Sequence, residues 1–245
     1  MHIPLHLAHW LYHSYSNDSL KIFQDKNNKT IYKIEFNYQC PALVRSLTKT
    51  HIIEGGSITD DYLTLRFKAL SVKSFKDFIE EQLEVRGSRI LSINLAAKML
   101  SSLSSQLSHL ISFESKTIIG YSPENIIVLN GETFAFLGSE LVAEICPVGK
   151  EMATISCPFN VKDFFVSPEM LKIKELPAYI HYKTSYFSLG CLLLYALTGE
   201  DNFYNEYLTG SKLVLNQLHF KNTQFYWLLS RCLVEEPEKR SIIFI

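Results

Sequence analysis

The chain has 245 residues and 47% hydrophobic content, enough to bury one large core or two small lobes. Its 24 lysines and arginines balance 25 acids, a formal net charge of -1, so no global field draws in nucleic acid or an anionic membrane. The five cysteines are widely spaced with no C-x-x-C, which fits free thiols of a reducing, cytoplasmic compartment rather than a disulfide framework or a zinc site.

At the start, Met1 to Ser16 reads as a short helix entered near Pro4, with Leu5, Leu7, Ala8, Trp10, Leu11 and Tyr12 packed inward. His2, His6, His9 and His13 then share one face. Imidazoles at i and i+4 can hold one metal ion. No carboxylate or cysteine completes or orients the row, however, so a half-exposed polar face of a docking helix is the preferred reading and no metal or cofactor is expected. No basic stretch leads into an apolar one, so no signal peptide is expected.

Leu20 to Phe23 and Thr30 to Phe36 alternate around the Asn-rich run Asp25 to Lys29, the pattern of a β-hairpin. Ala42 to Thr50 suits a short helix. Ile52-Ile53-Glu54, the Gly55-Gly56 turn and Tyr62 to Phe67 suggest two more strands. This makes a β-rich unit over 1–68, followed by a mainly helical unit over 69–245. Ser74, with Asp77 three residues on, caps a helix through Glu81. Leu91 to Ile111 is a long helix whose stripe is Leu95, Met99, Leu100, Leu103, Leu107, Leu110 and Ile111.

Asn125 to Leu129 and Thr133 to Leu137 flank Asn130-Gly131, the strongest short hairpin signal. Ser139 to Val166, with Pro147, Gly149 and Pro158, reads as irregular. Leu189 to Leu197 is the longest apolar run; it is too short to span a bilayer and suits a core helix. Leu213 to His219 and Phe225 to Leu233 are further helices. The alternating charges of Glu235 to Arg240 read as a solvated turn.

Five ordered motifs between Tyr62 and Ile245 resemble the protein kinase family. Ile118-Ile119-Gly120-Tyr121-Ser122-Pro123-Glu124-Asn125-Ile126 resembles the catalytic loop H-R-D-L-K-P-E-N-I. Phe136-Leu137-Gly138 lies where the family has D-F-G, and Val166-Ser167-Pro168-Glu169 resembles A-P-E. Ser185-Tyr186-Phe187-Ser188-Leu189-Gly190 resembles D-x-W-S-x-G, and Arg231-Cys232-Leu233, Pro237 and Arg240 resemble R-C-L-x-x-x-P-x-x-R. The run Phe164 to Glu169, with Leu176-Pro177 and Tyr186-Phe187-Ser188-Leu189-Gly190 after it, is similar to kinase-like proteins of large DNA viruses.

The resemblance implies an α+β, kinase-like fold with a reduced β-rich N-lobe and a helical C-lobe. It also implies that the reaction is lost. Gly120 stands for the catalytic aspartate, Ser122 for the loop lysine, Phe136 for the metal-binding aspartate, and Ser185 for the aspartate that holds the loop backbone. Phosphoryl transfer needs a carboxylate to orient the nucleophile and cations on the phosphates. Asn125 alone survives as a metal-ligand position, and an amide without a carboxylate is a weak magnesium ligand. Its other role is to tie down the loop backbone.

No phosphate-covering G-x-G-x-x-G exists, since the first glycine is Gly55. Lys33 is the one tempting strand lysine, and an exposed hairpin lysine is its simpler reading. Glu169 is expected to pair with Arg240 as the scaffold tie of the family. The expectation is therefore a pseudokinase, not an enzyme, that binds another protein, with nucleotide binding weak or absent. The alternative is an unconventional phosphotransferase using Glu124, Asp163 or Asp60 as relocated acids.

Overall fold

The computed structural model describes residues 10–17, 20–87, 89–147, 151–158, 165–199 and 220–243. Strands β1 (Trp10–Asn17), β2 (Leu20–Asp25), β3 (Ile31–Phe36), β4 (Ser57–Ile58) and β5 (Thr64–Lys68) form an antiparallel sheet in the order β1-β2-β3-β5-β4. The expected hairpin is β2–β3. Its turn closes because the Asp25 carboxylate accepts the Asn27 and Asn28 amides at 2.8 and 2.9 Å. Alternation sorts the faces. Leu20, Ile22, Tyr32, Ile34, Phe36, Leu65 and Phe67 are buried, while Lys21, Arg66 and Lys68 on the intervening positions are exposed.

Two expectations fail here. Trp10 to Ser16 is not helical: Trp10–Asn17 is a strand, and Tyr12 pairs with Phe23. An aromatic-rich segment beside a ready strand gains ladder hydrogen bonds that a short isolated helix cannot match. His13 thus lies on a strand, where helical spacing has no meaning, and His2, His6 and His9 fall outside the described residues. Nor do Ile52 and Ile53 make a strand. They are buried behind α1 (Pro41–Lys49), where the Ile53 amide donates to the Leu47 carbonyl at 3.0 Å. The strand of this region is β4, five residues later.

Beyond the linker 69–71 come β6 (Val72–Ser74), α2 (Phe75–Arg86) and α3 (Ile93–Glu114). Ser74 caps α2 as expected: its Oγ accepts the Asp77 amide at 3.0 Å and donates to the Asp77 carboxylate at 2.7 Å. The α3 stripe is buried from Met99 through Leu110. Next are β7 (Lys116–Ile118), β8 (Ile126–Leu129) and β9 (Thr133–Phe136). The β8–β9 turn has φ of 55° at Asn130 and 73° at Gly131, the two left-handed residues of a type I′ hairpin.

The stretch from Ser139 is not irregular throughout. It contains β10 (Val142–Ile145) and β11 (Met152–Ile155), which join β7 and β12 (Ala178–His181) in a sheet of order β12-β11-β10-β7. Short strands set between Pro and Gly lack local signal, and only their remote partners make them strands. A third sheet runs β6-β8-β9. Helices α4 (Pro168–Leu171), α5 (Thr184–Thr198) and α6 (Gln224–Cys232) complete the described elements. The α5 run Cys191 to Leu194 is wholly buried, as its all-round apolarity predicts. The helix expected over Leu213 to His219 falls outside the described residues. The described residues are thus a mixed α/β architecture with antiparallel sheets and one contiguous core. None of their helices is long and apolar enough to cross a membrane.

Candidate functional site

The loop singled out by sequence runs from β7 to β8. Ile118 and Ile119 are buried, and Tyr121 exchanges backbone hydrogen bonds with Phe165 at 2.7 and 3.2 Å. Gly120 is buried between them. Ser122 is 2% exposed and its Oγ accepts the Glu124 amide at 3.1 Å, capping the 3-10 turn Pro123–Asn125. Ser122 is therefore a turn residue. Glu124 itself is exposed.

Asn125 is also committed. It is buried, its carbonyl accepts the Leu137 amide at 2.8 Å, and its Nδ2 donates to Glu140 Oε1 at 3.0 Å. Gly138 makes this possible, because a β-carbon there would stand 2.7 Å from Asn125 Nδ2 and 2.8 Å from the Phe136 ring. Phe136 is fully buried, edge-on to Tyr121 with ring centroids 5.1 Å apart. The Tyr121 hydroxyl is buried without a hydrogen-bond partner among the described residues, and burial drives its pKa upward. An apolar aromatic pair thus fills this part of the interior. Among the nominated acids, Asp60 is exposed and Asp163 lies outside the described residues. The acid that does reach Asn125 is Glu140, a carboxylate two residues past Gly138 that the sequence motifs do not single out. Among the described residues no three His, Cys, Asp or Glu side chains gather as a metal-ligand set.

A second missed residue is Gln106 of α3. It is fully buried, accepts the Phe136 amide at 3.0 Å and donates to the Phe136 carbonyl at 2.9 Å and to Ser46 Oγ at 3.2 Å. It therefore links α1, α3 and β9. Three residues after Leu103 and four before Leu110, it sits on the apolar stripe, which marks it as a buried amide that must find partners.

The tie expected between Glu169 and Arg240 is present. Arg240 Nη1 and Nη2 reach the two carboxylate oxygens at 2.5 and 2.8 Å. The guanidinium side chain is 0% exposed. It also donates to the Val234, Glu235 and Lys183 carbonyls and lies 5.0 Å from the Phe187 ring centre. By contrast, Ser185 turns its Oγ to the nearby Tyr182 carbonyl at 2.9 Å.

No protein-family model and no curated protein matches this chain.

β1 ends at Asn17, paired with Leu20 at the start of β2. Lys33 corrects its expectation: it is buried, ion-paired with Glu35 at 2.5 Å and 4.6 Å from the Phe23 ring centre. Residues two apart on a strand share a face, which is why Glu35 reaches it. That face is opposite the one bearing Tyr32 and Ile34. α1 carries no acidic residue.

The linker donors are occupied as well. The Ala69 amide donates to the Thr30 carbonyl at 2.9 Å, and Asn130 Oδ1 accepts the Leu70 and Ser71 amides at 2.7 and 3.4 Å.

Proposed function

We propose that this chain is a kinase-like fold without the kinase reaction, acting as a binding module for another protein. The observation that carries the reading is the state of the loop. Gly120 and Ser122 occupy its charged positions, Phe136 is buried where a metal-binding carboxylate belongs, and Asn125 is bound to Glu140. Supporting it is the retained Glu169–Arg240 tie, a scaffold feature kept apart from chemistry. Loss of an essential carboxylate removes several orders of magnitude of rate.

The test is titration of the whole chain with ATP, with and without magnesium, read by thermal shift and by phosphate release. The expected result is no magnesium-dependent shift and no phosphate. A shift together with release overturns the reading. One observation favours the alternative phosphotransferase, the Glu140 carboxylate on Asn125. If that alternative holds, any activity of the parent falls at least a hundredfold in Glu140→Gln, the usual scale for a lost general base.

A further inference from the structure

We propose that the outer edge of β12 is a self-association site, where β12 of a second copy adds antiparallel about a two-fold axis at Ile180. Strand β12 is an end strand of the sheet β12-β11-β10-β7.

The ladder decides which of its backbone groups point outward. The Tyr182 amide donates to the Glu151 carbonyl at 2.7 Å, and Met152 stands opposite His181. In an antiparallel ladder, hydrogen-bonded and non-hydrogen-bonded pairs alternate. Glu151–Tyr182 is bonded, so Ala153–Ile180 is bonded too, while Met152–His181 and Thr154–Tyr179 are not. The Met152 carbonyl agrees, since it accepts the Cys146 amide at 2.7 Å on the β10 side. The N–H and C=O of Tyr179 and His181 therefore face away from β11. Among the described residues no hydrogen bond uses any of these four groups.

Two features direct this edge to a strand. His181 is 7% exposed, so its outward N–H and C=O have little water to turn to, and a covered backbone group needs a partner. The edge also lacks the usual guards against pairing. Pro177 to Tyr182 holds no Lys, Arg, Asp or Glu, and the pairing with β11 runs without a bulge. Tyr179 and Leu176 are 59% and 39% exposed, which leaves apolar surface beside it.

The register selects the chain's own strand as occupant. The outward groups flank Ile180, one residue to each side. A copy turned about Ile180 sets Tyr179 opposite His181 of the second copy, and His181 opposite its Tyr179. Those two bonded pairs make four hydrogen bonds and leave no outward group over. Lys183 falls opposite Pro177, so no like charges meet across the seam. The contact is isologous and closes at two copies. This inference goes beyond the proposed function and uses neither the loop nor a nucleotide.

The test is sedimentation equilibrium of the whole chain between about 1 and 300 μM. The expected result is a reversible dimer with a Kd of about 10–100 μM, the scale of a small interface. Tyr179→Pro raises that Kd at least tenfold, because it removes an outward N–H that the β11 ladder does not use, a place where an edge strand admits proline. A chain that is monomeric throughout, or a dimer that Y179P leaves intact, overturns the proposal. If Y179P does not fold, amide exchange on the parent decides. At about ten times Kd the Tyr179 and His181 amides exchange about fivefold slower than in dilute solution, while the Ile180 amide, already bonded to β11, is unchanged. Equal exchange at both concentrations overturns the proposal. Protection of those two amides only when a different polypeptide is added also overturns it, and gives the edge to another protein's strand. Magnesium-dependent ATP binding would count against the pseudokinase reading alone, because none of these readouts involves nucleotide.

Discussion

Replacing Arg240 by methionine lowers the unfolding free energy by about 3–5 kcal/mol, the scale for breaking a buried ion pair from one side. The change removes a guanidinium that is 0% exposed and holds Glu169 from two directions. It also leaves the Val234, Glu235 and Lys183 carbonyls without that donor. Glu169 is 20% exposed, so water recovers part of its solvation; the three carbonyls account for much of the loss. Urea denaturation measures it as a fall in midpoint at constant slope. Glu169→Met with Arg240→Met completes a double-mutant cycle, and the pair should cost less than the sum of its singles because no lone charge remains. An Arg240→Met midpoint equal to the parent's would show that the tie does not hold α4 to the α5–α6 end of the chain.

Gln106→Leu should lower stability by about 2–5 kcal/mol. Leucine approximates the volume but satisfies neither the Phe136 amide nor its carbonyl, and each buried group left unpaired costs about 1–3 kcal/mol. Ser46 is less affected, since its hydroxyl also donates to the Leu43 carbonyl at 2.6 Å. The distinguishing measurement is amide exchange at Phe136, which should quicken more than at the β8 amides. Equal exchange in parent and variant would mean that Gln106 is a passenger in the α3 stripe. This prediction bears on function because Phe136 fills the position that the resemblance assigns to a metal-binding carboxylate.

The residues legible in advance were those whose partners lie close in the chain or whose pairing has a strong motif. Ser74 needs only Asp77 three residues away to cap α2. Asn130-Gly131 needs only its own two left-handed residues to turn β8 into β9. The Met99 to Leu110 stripe needs only helical spacing to find the core. Glu169 and Arg240 are 71 residues apart in sequence, yet two motifs held them in register.

What stayed hidden depended on strand pairing and on which face a side chain takes. Trp10–Asn17 looked helical until Leu20–Asp25 lay beside it. β10 and β11 exist because β7 and β12 flank them. Lys33 and Tyr32 are neighbours, yet β3 sends one to Glu35 and the other to Phe67. Glu140 reaches Asn125, and Gln106 reaches Phe136, only once the chain has folded back.

By itself, then, the sequence determined the caps, the turn residues and the helix stripe, because each depends on residue type and short spacing. The tertiary structure alone decided the sheet partners, the burial of Lys33, the Asn125–Glu140 contact and the stacking of Tyr32 on Phe67. Those depend on hydrogen bonds and close packing between segments far apart in the chain, where no local pattern specifies the partner.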